Sequence, residues 1–118
     1  MNLREIIGQC HGLAIHEVRC NQDDYFEVVI LNDEIDEWDK ILTSILGPAR
    51  KPKGIQPNSA DLDLTKASGG IRVNQTLFER EFGNYIIIAK FWPWDDNFHT
   101  TLKMALLACP DKLEEISI

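Results

Sequence analysis

At 118 residues, with 44% hydrophobic and 26% charged residues, the chain has the size and composition of one globular domain and not of a disordered protein. Its formal net charge of −7 disfavours nonspecific nucleic-acid binding, which depends on neutralising phosphates. No apolar run approaches the ~20 residues of a membrane span, and the first residues are typical of a capped helix, not of a signal peptide. We therefore expect a cytoplasmic protein without a membrane partner.

The first half of the chain predicts a helix, a hairpin and a second helix. Asn2 followed by Glu5 resembles a capping box, which predicts a helix over about residues 3–11. Strands are expected over 13–20 and 25–31, with a polar turn between them. The second helix has an apolar stripe that ends before Gly47-Pro48, formed by Ile35, Trp38, Leu42, Ile45 and Leu46.

Residues 48–70 predict a long loop, because they contain three prolines and three glycines and show little periodicity. Residues 47–76 also hold five bases against two acids. This charge is typical either of a solvated loop that pairs with acidic helices of the same chain or of an anion or partner site. Gly69, Gly70 and Arg72 are the candidate anion-binding residues, the alternative being a flexible turn into the next strand.

The second half predicts another hairpin and another helix. Strands over 76–82 and 85–92 flank Gly83-Asn84, which suits a two-residue turn. A helix is expected from about residue 97, capped by Asp95, Asp96 or Asn97 and ended by Pro110. Its predicted buried stripe is Phe98, Leu102, Ala105, Leu106 and Cys109.

These elements follow the order α-ββα-loop-ββα, and the two halves share a spacing of 60 positions. Tyr25 and Tyr85 open equivalent strands, and Trp38 and Phe98 lead equivalent helices. The pattern predicts an α+β fold with a possible internal ββα repeat. The expected architecture is a two-layer sandwich, in which an antiparallel sheet of four to five strands carries its helices on one face.

The densest cluster of polar chemistry lies between residues 92 and 101. Asp95 and His99 are four positions apart and Asp96 and His99 three apart, so each pair would share a face of the predicted helix. Such a pair suits a metal ligand set or a base with its orienting partner. The alternative is a helix cap with a histidine paired to it.

Aromatic residues of the second hairpin are the candidate partner interface. Trp92 and Trp94 would lie on one side of a continued strand, as core or as an exposed platform. Phe78 and Phe82 share one face of the preceding strand and exceed what the predicted helices cover.

A zinc site is not expected, although Cys10, His11, His16 and Cys20 lie close together in the sequence. His16 and Cys20 would be ~13 Å apart on a strand, at ~3.3 Å per residue, too far to share one ion. The three cysteines contain no C-x-x-C pair, so we expect buried free thiols and neither a metal nor a cofactor.

Two functions of different class remain open. The first is a noncatalytic binding or protein-interaction module that forms a homodimer, since no catalytic motif is present. The second is a small enzyme or ligand-binding domain that uses Asp95, Asp96, His99 and Arg72. Convergence of Asp95, His99 and Arg72 on one apolar-lined pocket would favour the second.

Overall fold

A five-stranded antiparallel sheet with three helices forms the fold, which confirms the α+β class. The structure is a computed structural model that describes residues 2–108. The helices are α1 (Leu3–Gln9), α2 (Ile35–Leu46) and α3 (Ser59–Thr65). The strands, in the spatial order β1-β2-β5-β4-β3, are β1 (Glu17–Asn21), β2 (Tyr25–Leu31), β3 (Thr76–Phe82), β4 (Tyr85–Pro93) and β5 (His99–Ala108).

Local sequence signals at the start of α1 and at the β3–β4 turn are confirmed. The amide of Glu5 donates to Asn2 Oδ1 at 2.9 Å, and the amide of Asn2 donates to Glu5 Oε1 at 3.1 Å, so α1 begins with a capping box. β1 begins at Glu17, later than predicted, because residues 10–13 form a turn at the end of α1. The turn Gly83-Asn84 joins β3 to β4 as predicted, since Phe82 pairs with Tyr85.

The helix predicted from residue 97 is wrong: these residues form β5, which lies between β2 and β4. The amides of Phe98 and His99 both donate to Asp96 Oδ1, and Asn97 has a φ of 64°. Asp96 and Asn97 thus make a hairpin turn and not a helix cap, for which the same residue types are suited. β5 is largely buried on both faces because it is central, so its sequence lacks a clear apolar–polar alternation and resembles a buried helix.

The ββα repeat is therefore not present in residues 2–108, because the second half ends in a strand. Trp38 is 1% exposed in the core, whereas Phe98 is 69% exposed at the β4–β5 turn, so the two do not occupy equivalent places. Cys109 and the tail beyond it lie outside the described residues.

The segment predicted as a long loop contains secondary structure. Asn58 and Asp61 form the capping box of α3, which leads into a 3-10 turn over Lys66–Ser68. Ahead of it, Lys51 forms an isolated bridge with Leu77 of β3. The Lys51 side chain is buried, and its Nζ donates to the carbonyls of Pro52, Val73 and Gln75.

The helices α1 and α2 pack on one face of the sheet and form the main core with it. That core contains Leu3 and Ile6 of α1, Trp38 and Leu42 of α2, and apolar residues of the four strands β2 to β5. The other face carries a smaller apolar cluster of Ile71, Leu77, Ile88 and Ala105. α1 and α2 thus lie on one side of the sheet, while the residues that follow α3 cross part of the opposite face and leave the rest open.

Candidate functional site

A row of charged side chains crosses the second face of the sheet, opposite α1 and α2. Glu27 of β2 pairs with Lys103 of β5, and Lys103 pairs with Lys90 of β4. The neighbouring row on the same face places Thr101 opposite Trp92. Because side chains alternate along a strand, this register brings Lys90, Lys103 and Trp92 together on one surface.

Two lysines that lie directly opposite each other repel, so this pair needs compensation. Lys103 Nζ lies 4.0 Å and Lys90 Nζ 5.4 Å from the centroid of the Trp92 ring, within the range of cation–π attraction. Lys90 is 0% exposed and donates to the carbonyls of Ser68 at 2.7 Å and Gly70 at 3.0 Å. Burial, reinforced by the charge of Lys103, lowers the pKa of Lys90 to about 8.

A recess of about 410 Å³ opens beside this pair, where β1, β2 and the β4–β5 hairpin meet residues 72–74. We call it the cationic recess, and it is lined by Arg19, Glu27, Arg72, Asn74, Trp92, Pro93, Trp94, Asp95, Thr101 and Lys103. Arg19 stacks 5.3 Å over Trp94 and pairs with Glu17 at 2.8 Å. Within residues 2–108, neither Lys103 nor the Arg72 guanidinium has an ion-pair partner.

A second recess, of about 500 Å³, continues from Lys103 toward the other end of β5. We call it the apolar groove, and it is lined by Asp24, Tyr25, Ala67, Ser68, Gly69, Lys103, Ala105, Leu106 and Leu107. The Tyr25 hydroxyl donates to Glu27 Oε1 at 2.6 Å, and burial together with this hydrogen bond raises the pKa of Tyr25. Lys103 is the residue that the two recesses share.

Four residues singled out from the sequence meet in the cationic recess: Arg72, Trp92, Trp94 and Asp95. Trp94 is held there by a 2.8 Å hydrogen bond from its Nε1 to Thr101 Oγ1. The shared side predicted for Trp92 and Trp94 is thus observed, since both line one recess.

His99 does not line this recess. Its ring packs against Trp94 with centroids 4.7 Å apart and against His16 at 5.0 Å, and its Nδ1 lies 2.5 Å from Asp96 Oδ2. Hydrogen bonds from the Phe98 amide and the His99 side chain hold the pKa of Asp96 below its usual value. The Asp96–His99 pair therefore stabilises the turn, and Asp95, His99 and Arg72 do not converge on one apolar-lined pocket.

Gly69 lies close to Trp92, and Gly70 lies close to Lys90. The carbonyl of Gly70 accepts from Lys90, and its amide donates to Thr65 at 2.8 Å. A Cβ on Gly69 would lie 3.1 Å from the Trp92 ring, and Gly69 has a φ of +97°. Gly69 serves the close passage of the chain over Trp92, and the Gly70 amide is engaged by Thr65.

Phe78 and Phe82, the two phenylalanines of the candidate interface, pack against aromatic residues of this chain. Phe78 is buried and packs edge-on against Phe91 with centroids 5.8 Å apart. Phe82 is half-buried and stacks on Tyr85 at 6.0 Å, and the Arg80 guanidinium lies 4.9 Å from the centroid of its ring. Trp92 and Trp94 are half-buried as well.

The two cysteines of the first half differ in burial. Burial raises the pKa of Cys10 to about 11, which keeps its thiol protonated at neutral pH. Cys20 is a free thiol of intermediate burial in β1. Within residues 2–108 no group of three or more histidine, cysteine or acidic side chains is arranged to hold a metal ion.

Sequence reasoning missed Arg19, Glu27, Lys90 and Lys103. Lys90 carried a usable signal, because it interrupts the apolar run of β4 from Ile86 to Trp92. A charged residue inside a buried strand needs a partner and so marks a place of interest. Lys103 was hidden by the helix prediction, which placed it on a solvent face.

No protein-family model matches the chain, and neither the curated proteins nor the solved structures yield a match. Over residues 2–108, every helix is too short or too polar to cross a membrane. What the chain does must therefore be inferred from the geometry of its recesses.

Proposed function

We propose that the chain is a noncatalytic binding module that takes an anionic group in the cationic recess. The observation that carries this proposal is that Lys103, which lines the recess, lies opposite the buried ammonium of Lys90. Neither ammonium lies within 4 Å of a carboxylate among residues 2–108, although the chain as a whole has a net charge of −7.

Other charges of the recess support an anion. Besides Lys103, the lining holds two more cations: Arg72, which has no ion-pair partner among residues 2–108, and Arg19, whose charge is shared with Glu17. Of the two acids in the lining, Glu27 already accepts the hydroxyl of Tyr25. An arginine fork and an ammonium group together suit a carboxylate, sulfonate or phosphate group.

Among residues 2–108, His99 lies outside the recess that Asp95 and Arg72 line, which supports a binding role over a catalytic one. His99 and Asp96 are engaged in the β4–β5 turn, and Asp95 is exposed at the rim. An enzyme that uses these residues would have to release Asp96 from two backbone amides.

Inorganic phosphate is the direct probe of this function. Titrated at constant ionic strength, it should change the fluorescence of Trp92, which lies against Lys103. Lys103→Gln should weaken binding about tenfold, the effect of losing one charge-assisted hydrogen bond. The exposed Lys53→Gln changes the net charge equally and should leave the affinity unchanged.

Two results would overturn the proposal. The first is that phosphate leaves the tryptophan fluorescence unchanged up to millimolar concentration. The second is that Lys53→Gln weakens binding as much as Lys103→Gln, since the effect would then report net charge and not a site.

The predicted homodimer remains a second proposal, and one observation favours it. Phe98 is 69% exposed at the tip of the β4–β5 hairpin, and Leu31, which pairs with the adjacent His99, is 40% exposed. Large apolar side chains that are exposed side by side often mark a protein interface. A dimer through this tip would leave the apolar groove open, because the groove lies toward the opposite end of β5.

A further inference from the structure

The cationic recess and the apolar groove meet at Lys103, so a single ligand that passes Lys103 would contact both. The stem of Lys103 lies between the two, and its Nζ is directed to the Trp92 ring, which lines the cationic recess. Their volumes, about 410 and 500 Å³, are in the range of small-molecule sites. Their joint lining changes from cationic to apolar along β5.

The floor and wall of the apolar groove are built by different parts of the chain. The floor is the sheet, where Tyr25, Ala105 and Leu107 lie around the smaller apolar cluster. The wall is the segment Ala67–Gly69. The bonds from Lys90 to the Ser68 and Gly70 carbonyls fix this segment over the sheet, so the groove is formed before any ligand binds.

We propose that the ligand of this module is a small amphiphilic anion with one acidic head and an apolar body. This inference rests on the proposed anion-binding function and adds the class of ligand. The head lies against Lys103 and Arg72, and the body lies along Ala105 and Leu107 in the apolar groove. A free small molecule fits better than a flat membrane surface, because the charged and apolar contacts lie in recesses of about 410 and 500 Å³.

Two related dyes separate the contributions of head and body. Anilinonaphthalene sulfonate carries a sulfonate on an apolar ring system, and N-phenyl-1-naphthylamine has the same rings without the charge. Both become fluorescent in an apolar environment. We expect one sulfonate dye per folded chain, bound about tenfold more tightly than the neutral dye, as one charge-assisted contact would produce.

Two pairs of variants assign the contacts. Lys103→Gln should reduce the affinity of the sulfonate dye to that of the neutral dye and leave the neutral dye unaffected, while Lys53→Gln should change neither. Leu107→Asn should weaken both dyes several-fold, whereas Leu62→Asn, an exposed leucine outside the groove, should weaken neither. Near-ultraviolet circular dichroism should show that each variant keeps the native packing.

The outcomes distinguish this inference from the function on which it rests. If phosphate binds through Lys103 but Leu107→Asn leaves both dyes unaffected, the anion site stands and the amphiphilic ligand is overturned. If the two dyes bind equally and phosphate does not bind, both proposals are overturned. If neither dye binds and sedimentation shows a dimer that Leu107→Asn dissociates, a second copy occupies the groove and the inference fails.

Discussion

Buried charged side chains in this protein are satisfied by backbone carbonyls and aromatic rings more than by ion pairs. Lys51 donates to three carbonyls, and burial lowers its pKa. Lys90 donates to two and lies near Trp92. Carbonyl contacts offset only part of the cost of removing an ammonium from water, so both lysines are penalised when charged.

Replacing Lys90 should reveal this penalty as a pH dependence of stability. Its pKa is about 8 in the folded chain and 10.5 as its ordinary value. Between these values the unfolded chain holds more protons, so the folded state gains stability as the pH rises. The free energy of unfolding of the unmutated protein, minus that of Lys90→Met, should be constant below pH 8 and rise by up to roughly 3 kcal/mol toward pH 10.5.

Urea unfolding at several pH values measures this difference. The pH-dependent contributions of Cys10 and Tyr25 to the free energy of unfolding cancel in it, because both proteins contain these residues. A difference that stays constant from pH 7 to 10 would show that Lys90 is solvated when charged.

Asp61 should be the most sensitive acid of the segment 48–70. It is buried, closes the capping box of α3 and accepts from Arg50 Nε at 2.7 Å. Asp61→Ala should lower the free energy of unfolding by about 2 kcal/mol, the value of a charged hydrogen bond. The exposed Asp63→Ala in the same helix is the control and should cost less than about 0.5 kcal/mol.

The contribution of Asp61 should also disappear in acid. Burial raises its pKa, but hydrogen bonds from the Asn58 amide and Arg50 outweigh this and hold it below the ordinary 3.8. Its stabilisation is therefore present above pH 3.8 and is lost as the pH falls through the lower folded value. Equal stability losses for Asp61→Ala at pH 3 and pH 7 would contradict this account.

At the scale of elements, β5 determines the whole arrangement, because it joins two hairpins into one sheet. It pairs with β2 along one side and with β4 along the other. Without β5, the β1–β2 and β3–β4 hairpins would each be isolated and marginal in stability. The charged row of the site also depends on β5, since Lys103 is its central residue.

Hydrogen exchange can test whether these residues form a strand. In a central strand the amides at its start are already paired, so those of Thr100, Thr101 and Leu102 should exchange as slowly as those of β2. In the helix predicted from about residue 97, the amides up to Thr100 would belong to the first turn, which lacks intrahelical partners, and would exchange fast, whereas those of Thr101 and Leu102 would be paired. Fast exchange at Thr100 with slow exchange at Leu102 and Ala105–Leu107 would overturn the strand.

At the scale of the whole molecule, one group of exposed apolar side chains lies at the end of the sheet that carries the β4–β5 turn. Phe98, Leu31 and Ile15 are each at least 40% exposed, and His16 beside Ile15 packs against His99 beside Phe98. The cationic recess begins next to this end, at Trp94. Self-association and ligand binding would therefore use adjoining surfaces.

Phe98→Ser should shift a homodimer toward monomer, because it removes the most exposed apolar side chain of this surface. Trp94→Ala should do the same if the dimer extends to the recess. Val73→Ser, an exposed apolar residue in another segment, is the control and should leave the association unchanged. Sedimentation equilibrium measures the dissociation constant of the dimer. If the unmutated protein is a monomer at high concentration, the homodimer proposal is wrong.

The sequence by itself determined the elements whose signals are local. The Asn2–Glu5 box, the Gly83-Asn84 turn and the amphipathic stripe of α2 all predicted what the structure contains. Such signals are formed by residues close together in the chain, so these elements need no distant pairing to be specified.

Only the tertiary structure decided the identity of β5 and the composition of the site. Asp96 and Asn97 suit a helix cap and a hairpin turn equally, and a strand buried on both faces has no period that distinguishes it from a helix. The register of β5 between β2 and β4 then sets Lys103 against Lys90, Trp92 and Glu27. Pairing between strands more than ten residues apart in the chain creates this juxtaposition, and no local pattern contains it.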